Sequence, residues 1–258
     1  MHYGIMYINI LLATLLLTPF LAYPLEQCYA ITTTETEIEL NNDNVLLLRG
    51  EINDKSATQF MFEVNKRQNK TGLYVYLDTN GGSVDAGNKI VYEIQKYDLS
   101  CIAHKAISMG FVILQACNKR YITPLSTLMQ HQISYGVQDE KAKVENYVEY
   151  IKQVGDHLTL LQSKKIGISK REFERRTYND WWMFGERAIQ EHCADELSKV
   201  VCTSKLTNTT YTEDRGSYTY TYSKCPLITS YIDKKKNANK DDFSDLFFLF
   251  NVADYNIE

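Results

Sequence analysis

The stretch Ala106-Ile107-Ser108-Met109-Gly110-Phe111-Val112-Ile113-Leu114 constrains this chain more than any other. An apolar segment of strand character, Leu99 to Ile107, runs straight into a serine, and a short apolar helical pattern starts directly behind it. That order predicts a strand-to-helix corner with Ser108 at its apex. Amides at a helix start have no intrahelical acceptor and carry the positive end of the dipole, so they can hold a developing oxyanion beside a nucleophilic hydroxyl. Serine is equally a common helix cap, and only the surroundings of Ser108 decide between the two roles.

Two neighbouring stretches supply those surroundings. Upstream, Leu73-Tyr74-Val75-Tyr76-Leu77-Asp78-Thr79-Asn80-Gly81-Gly82-Ser83-Val84 is an alternating strand ending in a Gly-Gly turn, where a backbone can come close to a ligand. Downstream stand Leu128-Met129-Gln130-His131-Gln132 and Thr177-Tyr178-Asn179-Asp180-Trp181-Trp182-Met183. With these residues in this order, the chain resembles the proteolytic subunit of the Clp protease, a serine peptidase on the crotonase-like fold, from about Val45 to Leu197. The resemblance implies Ser108 as nucleophile, His131 as base and Asp180 as acid, with backbone amides of Gly81, Gly82 and Met109 as the oxyanion hole. It also implies a peptide or unfolded protein as substrate, a homo-oligomeric ring and no cofactor. Lys105, three residues before Ser108, would serve the Ser-Lys dyad of membrane-associated relatives, but a strand end should turn it away from the serine.

The fold expected is α/β, of the ClpP/crotonase type: repeated strand-turn-helix units, a long handle helix, and a C-terminal β-hairpin extension. Val45 to Ile52 reads as the first buried strand, Ser56 to Lys66 as a helix, Leu73 to Leu77 as the next strand and Val84 to Tyr97 as the next helix. Short connections between such units imply a largely parallel sheet with right-handed crossovers. Short strand pieces follow at Arg120 to Pro124 and Thr127 to Met129. Glu140 to Lys165 reads as the handle, with Val144, Tyr147, Val148, Ile151, Val154, Leu158 and Leu161 at helical spacing. In the family this helix packs subunits together.

The flanks read differently. Residues 1–30 have an apolar run, Ile10 to Leu17, shorter than the ~20 residues of a spanning helix, and are expected to be a signal peptide; no Lys or Arg precedes the run, so an N-terminal anchor stays open. Residues 31–44, polar and rich in Thr and Glu, read as a surface lead-in, and 45–200 as the peptidase domain. In the extension over 201–258, Cys202 and Cys225 flank a Thr-Tyr alternation with a turn at Glu213 to Gly216, a hairpin whose ends a disulfide would clamp. Cys101, Cys117 and Cys193 read as buried thiols. No Cys-x-x-Cys pair or nearby His supports a metal site. Asp233 to Asp242 reads as a charged linker, and Phe243 to Phe250 as an apolar run able to dock on the body or on a partner.

The sequons Asn69-Lys70-Thr71 and Asn208-Thr209-Thr210 would accept glycans in a secretory lumen or outside the cell, the address the N-terminus suggests. An ATP-driven unfoldase, usual for the family, is left open, since ATP is not expected there. A net charge of -4 without a basic stripe argues against nucleic acid. Three functions follow from these readings: a Clp-like serine endopeptidase, a catalytically silent scaffold on the same fold, and an acyl-CoA hydratase or isomerase of the crotonase type. The last would leave a Ser-His-Asp set without a role.

Overall fold

A computed structural model describes residues 35–237. The expected signal or anchor segment and the run from Phe243 to Phe250 lie outside the described residues. In chain order the elements are β1 (Thr36–Leu40), β2 (Val45–Ile52), α1 (Asp54–Lys66), β3 (Tyr74–Gly82), α2 (Val84–Lys96), β4 (Ser100–Ile107), α3 (Met109–Ala116), β5 (Arg120–Gln130) and α4 (Lys141–Ile166). Then come α5 (Lys170–Thr177), β6 (Trp181–Phe184), α6 (Arg187–Gln190), β7 (Glu196–Cys202), α7 (Ser204–Asn208), β8 (Thr210–Arg215), β9 (Tyr218–Ser223) and β10 (Asp233–Lys236).

The main sheet runs β1-β7-β5-β4-β3-β2, every neighbour parallel, with β6 added antiparallel to β5. Parallel strands covered on both faces need near-continuous apolar sequence, and Cys101, Ile102, Ala103 and Ala106 of β4 are all buried. One face carries Val75, Leu77, Ala103 and Ile122 against α1, α2 and α3. The other carries Tyr76, Ile102 and Tyr121 against Ile38 and Leu40 of β1, Leu206 of α7 and Cys225. The C-terminal extension therefore completes a second core instead of hanging from the first. Burial in that core pushes the Tyr76 hydroxyl up to about 12, with Asp78 adding to the rise.

Several expectations need correction. The lead-in over 31–44 contains β1, whose Ile38 and Leu40 point inward while Glu37 and Glu39 keep the strand polar in composition. The hairpin is a three-stranded sheet, β10-β9-β8, because Asp233–Lys236, read as linker, pairs with β9. Its turn lies at Gly216-Ser217, with Glu213 to Arg215 still in the ladder. Tyrosines account for one face of this sheet: Tyr211 stacks on Tyr222 at 5.4 Å, Arg215 lies over Tyr220 and Tyr222, and Lys234 sits 4.0 Å from the Tyr218 ring. The handle buries only its C-terminal half, at Leu158, Gln162, Ser163 and Ile166, whereas Tyr147 and Val148 are exposed.

Cysteine pairing brings one agreement and one correction. Cys202 and Cys225 form the expected disulfide. Cys101 and Cys117, read as thiols, are also joined, with Cα atoms 5.8 Å apart, so that the chain carrying Ser108 is closed into a loop of 16 residues. Cys193 is the free thiol among the described residues, and burial pushes it up to about 12. Loop-closure entropy for a ring of this size is worth about 3 kcal/mol. The double substitution Cys101→Ser and Cys117→Ser is thus expected to lower the unfolding free energy by roughly that amount. A denaturant titration matching the parent would refute the loop argument.

A second tie closes the same region. The Arg120 guanidinium, buried at the start of β5, donates to Asp195 and to Gln115 Oε1, while Gln115 Nε2 donates to the Cys193 carbonyl at 2.9 Å. Burial alone would raise the Asp195 carboxyl, but hydrogen bonds from Arg120 and its charge win, so the group lies below the usual carboxylate range. A depressed folded value contributes stability above the unfolded value near 3.9, lost as pH falls through the folded one. Asp195→Asn should cost about 3 kcal/mol at pH 7 by stranding a buried guanidinium. It should also flatten the acid limb of the stability curve below pH 4, and a limb unchanged from the parent would exclude this assignment.

Candidate active site

Ser108 occupies the corner the sequence announces, between β4 and α3. Its backbone has φ 55° and ψ -118°, a conformation that strains any residue with a Cβ. Its hydroxyl makes no capping bond to the helix. Instead Oγ lies 2.8 Å from His131 Nε2. A strained strand-turn-helix corner of this kind lifts a hydroxyl clear of the backbone. The Ser108 amide donates to the Met129 carbonyl at 2.9 Å and so locks the corner to β5.

Glycines let the surrounding chain come this close. A Cβ on Gly81 (φ +92°) would stand 2.7 Å from the Ile107 carbonyl oxygen and 2.8 Å from Ser108 Cβ. One on Gly110 would meet Thr79 Cγ2 at 2.6 Å. The end of β3 therefore presses directly on the corner. Gly81's amide donates to Thr79 Oγ1 at 3.0 Å, and Gly82 and Met109, not Gly81, line the cleft. Of the three expected oxyanion donors, Gly81 thus has its amide engaged by Thr79, whereas Gly82 and Met109, the first residue of α3, border the cleft beside Ser108.

His131 follows the last residue of β5. Asp180 precedes β6, which is antiparallel to β5 in the register Gln130↔Trp181. His131 and Asp180 thus each stand one residue beyond the last pair of this ladder. Asp180 is nevertheless exposed, at φ 54°, and among the described residues no hydrogen bond or ion pair joins it to the imidazole. Ser108 and His131 are thus brought into contact, while Asp180 is not joined to them. Lys105 turns away from the serine, as expected, and faces Asp78 at 3.7 Å, a carboxylate that also accepts from Arg49 Nε at 2.9 Å.

The cleft in front of this pair has a volume of about 920 Å³. Val84, Met109, Val112, Leu158 and Phe173 wall it, and Arg171, Glu174 and Arg175 of α5 stand among its lining. Two lining residues escaped the sequence reading: Gln130 and Gln162, only 4% and 3% exposed. The signal for Gln162 was present, because it follows Leu158 by one helical turn and must share its buried side. Among the described residues no group of three His, Cys, Asp or Glu side chains could hold a metal ion. Asn69 and Asn208, the two sequon asparagines, are both exposed.

A hydroxyl in contact with an imidazole, a backbone amide at the start of α3 with another at the end of β3, and a half-apolar cleft make an arrangement suited to acyl transfer. The sequence matches the family model described as Clp protease over residues 30–200, a span that holds Ser108, His131, Asp180 and the whole cleft lining and leaves the C-terminal three-stranded sheet outside. The match covers more than half of the chain, and the chain belongs to the Clp protease family.

Proposed function

We propose that this chain is a serine endopeptidase that hydrolyses peptide bonds through Ser108, His131 and Asp180. The observation that carries the reading is the 2.8 Å contact between Ser108 Oγ and His131 Nε2 at a strained corner whose hydroxyl does not cap its helix. In the first step Oγ attacks the scissile carbonyl carbon while neutral His131 takes the hydroxyl proton. The tetrahedral oxyanion is held by the amides of Gly82 and Met109. Collapse breaks the C–N bond, and the imidazolium returns the proton to the leaving amine. Water, deprotonated by the same imidazole, then releases the acyl group from Ser108. Asp180, which precedes the strand paired with the end of β5, fixes the tautomer and favours the imidazolium once its carboxylate swings inward. Substrate lies extended beside the turn after Gly82, adding backbone hydrogen bonds as an extra strand.

The assembled form is a homo-oligomeric ring, which the exposed N-terminal half of α4, with Tyr147, Val148 and Tyr150 outward, supports. Two disulfides support an oxidising compartment, the secretory lumen or the exterior, and with it activity without an ATP-driven unfoldase. One observation favours a second reading, a catalytically silent protein of the same fold: Asp180 makes no bond to His131. Mapping a fluorophosphonate probe on the purified protein separates the two. Labelling at Ser108 that disappears in His131→Ala is expected. A folded, assembled sample that takes no label would shift the conclusion to the silent protein.

A further inference from the structure

We propose that Gln130 and Gln162 form a relay that positions His131 from the handle helix, an inference that rests on the peptidase reading above. The His131 amide donates to Gln130 Oε1 at 3.0 Å. Gln130 Nε2 donates in turn to Gln162 Oε1, and Gln162 Nε2 donates to the Leu158 carbonyl one turn earlier in α4, at 2.9 Å. Both carboxamides are more than nine-tenths buried and both line the cleft that holds Ser108. The chain of bonds has one direction and three links. Its fixed end is a helix carbonyl, and its free end is the backbone of the base.

The arrangement answers a geometric need. His131 lies just beyond the last paired residue of β5, Gln130, so the strand ladder that holds Met129 and Gln130 no longer holds it. Asp180 does not hold it either among the described residues. Without another tie, the Ser108–His131 distance would follow the looser chain from Gln132 to Asp139, which has no helix or strand. The relay supplies that tie. A carboxamide suits each position because each must accept from one side and donate to the other. Buried polar groups that are fully paired also hold a unique geometry, since any other leaves a donor stranded. Gln130 and Gln162 touch neither substrate nor the reacting atoms in this scheme, so they are positioning residues.

The test uses Gln162→Met, which keeps length and shape and removes the acceptor, alongside Gln130→Met, the double variant, and Gln162→Glu. A buried glutamic acid in its neutral form would accept from Gln130 and donate to the Leu158 carbonyl, reproducing the relay. Three readouts are taken on full-length protein: hydrogen exchange of the peptide containing His131, the rate of Ser108 labelling by a fluorophosphonate, and the KM for a fluorogenic peptide. Gln162→Met is expected to speed exchange at His131 at least tenfold and to slow labelling about tenfold, with the KM for peptide within twofold of the parent. Gln162→Glu should recover most of the labelling rate. The double variant should label no more slowly than Gln130→Met alone, because Gln162 acts only through Gln130. Unchanged exchange would overturn the relay, and faster exchange with parental labelling would overturn its positioning role. Were Gln162→Met to fail to fold, the same readouts on Gln130→Met against the parent would decide. A parent that takes no label defeats the peptidase reading, while the exchange measurement still reports on the relay.

Discussion

Replacing Ser108 by alanine is expected to lower peptide turnover about a million-fold, roughly 8 kcal/mol of transition-state stabilisation. His131→Ala alone should cost nearly as much, and the pair of substitutions together little more than either. The reason is that the hydroxyl and the imidazole, 2.8 Å apart, act as one unit: a serine without a base is a poor nucleophile, and a base without a serine activates nothing attached to substrate. What survives both changes is the contribution of the Gly82 and Met109 amides and of the cleft. Asp180→Ala is expected to fall between the parent and these variants, since it removes orientation and leaves the proton transfer in place. Steady-state turnover of a fluorogenic peptide checks all four variants. If Ser108→Ala keeps more than a hundredth of parental activity, another nucleophile is at work. If the two losses multiply in the double variant, the residues are not coupled as the contact requires.

Some of this site was legible from residue order because the physics is local. The strand into Ser108 and the helix behind it need only an apolar run, a serine and a second apolar pattern, and β4 and α3 fall where those patterns place them. Val45–Ile52 appears with the boundaries read from its apolar content. What stayed hidden depends on partners remote in sequence. The strand Thr36–Leu40 looks polar in composition and becomes a strand because β7 pairs with it and the C-terminal core covers Ile38 and Leu40. Asp233–Lys236 has four charged, exposed side chains, and its strand conformation comes from the ladder to β9 and from Lys234 lying over tyrosine rings. The Cys101–Cys117 pairing follows from α3 folding back along β4, which spacing alone does not reveal. Gly81 was expected as an oxyanion donor because the resemblance to the Clp family implies it. A buried threonine two residues earlier takes that amide instead.

That reassignment of Gly81 leads to the other large effect. Gly81→Ala is expected to lower kcat about a hundredfold, the scale of a misplacement near 1 Å at a reacting group, although the new methyl touches no substrate. Its Cβ would stand 2.7 Å from the Ile107 carbonyl oxygen, 2.8 Å from Ser108 Cβ and 2.9 Å from the Met109 nitrogen. These are backbone atoms or the root of a side chain, so no rotamer change relieves the clash and the corner itself must move. Ser108 Oγ and the Met109 amide would shift together, spoiling the contact to His131 and the aim of the oxyanion donor at once. The left-handed φ of +92° adds a cost of about 1–3 kcal/mol in stability that has nothing to do with chemistry. Gly72→Ala separates the two effects, because Gly72 has φ +77° and open space where its Cβ would go. It should lower the melting temperature much as Gly81→Ala does through strain, yet leave kcat within twofold of the parent. Equal kcat losses in the two variants would mean that loss of stability, not displacement of the corner, lowers the rate. A Gly81→Ala protein with parental kcat would mean that the β3 turn does not hold Ser108 in place.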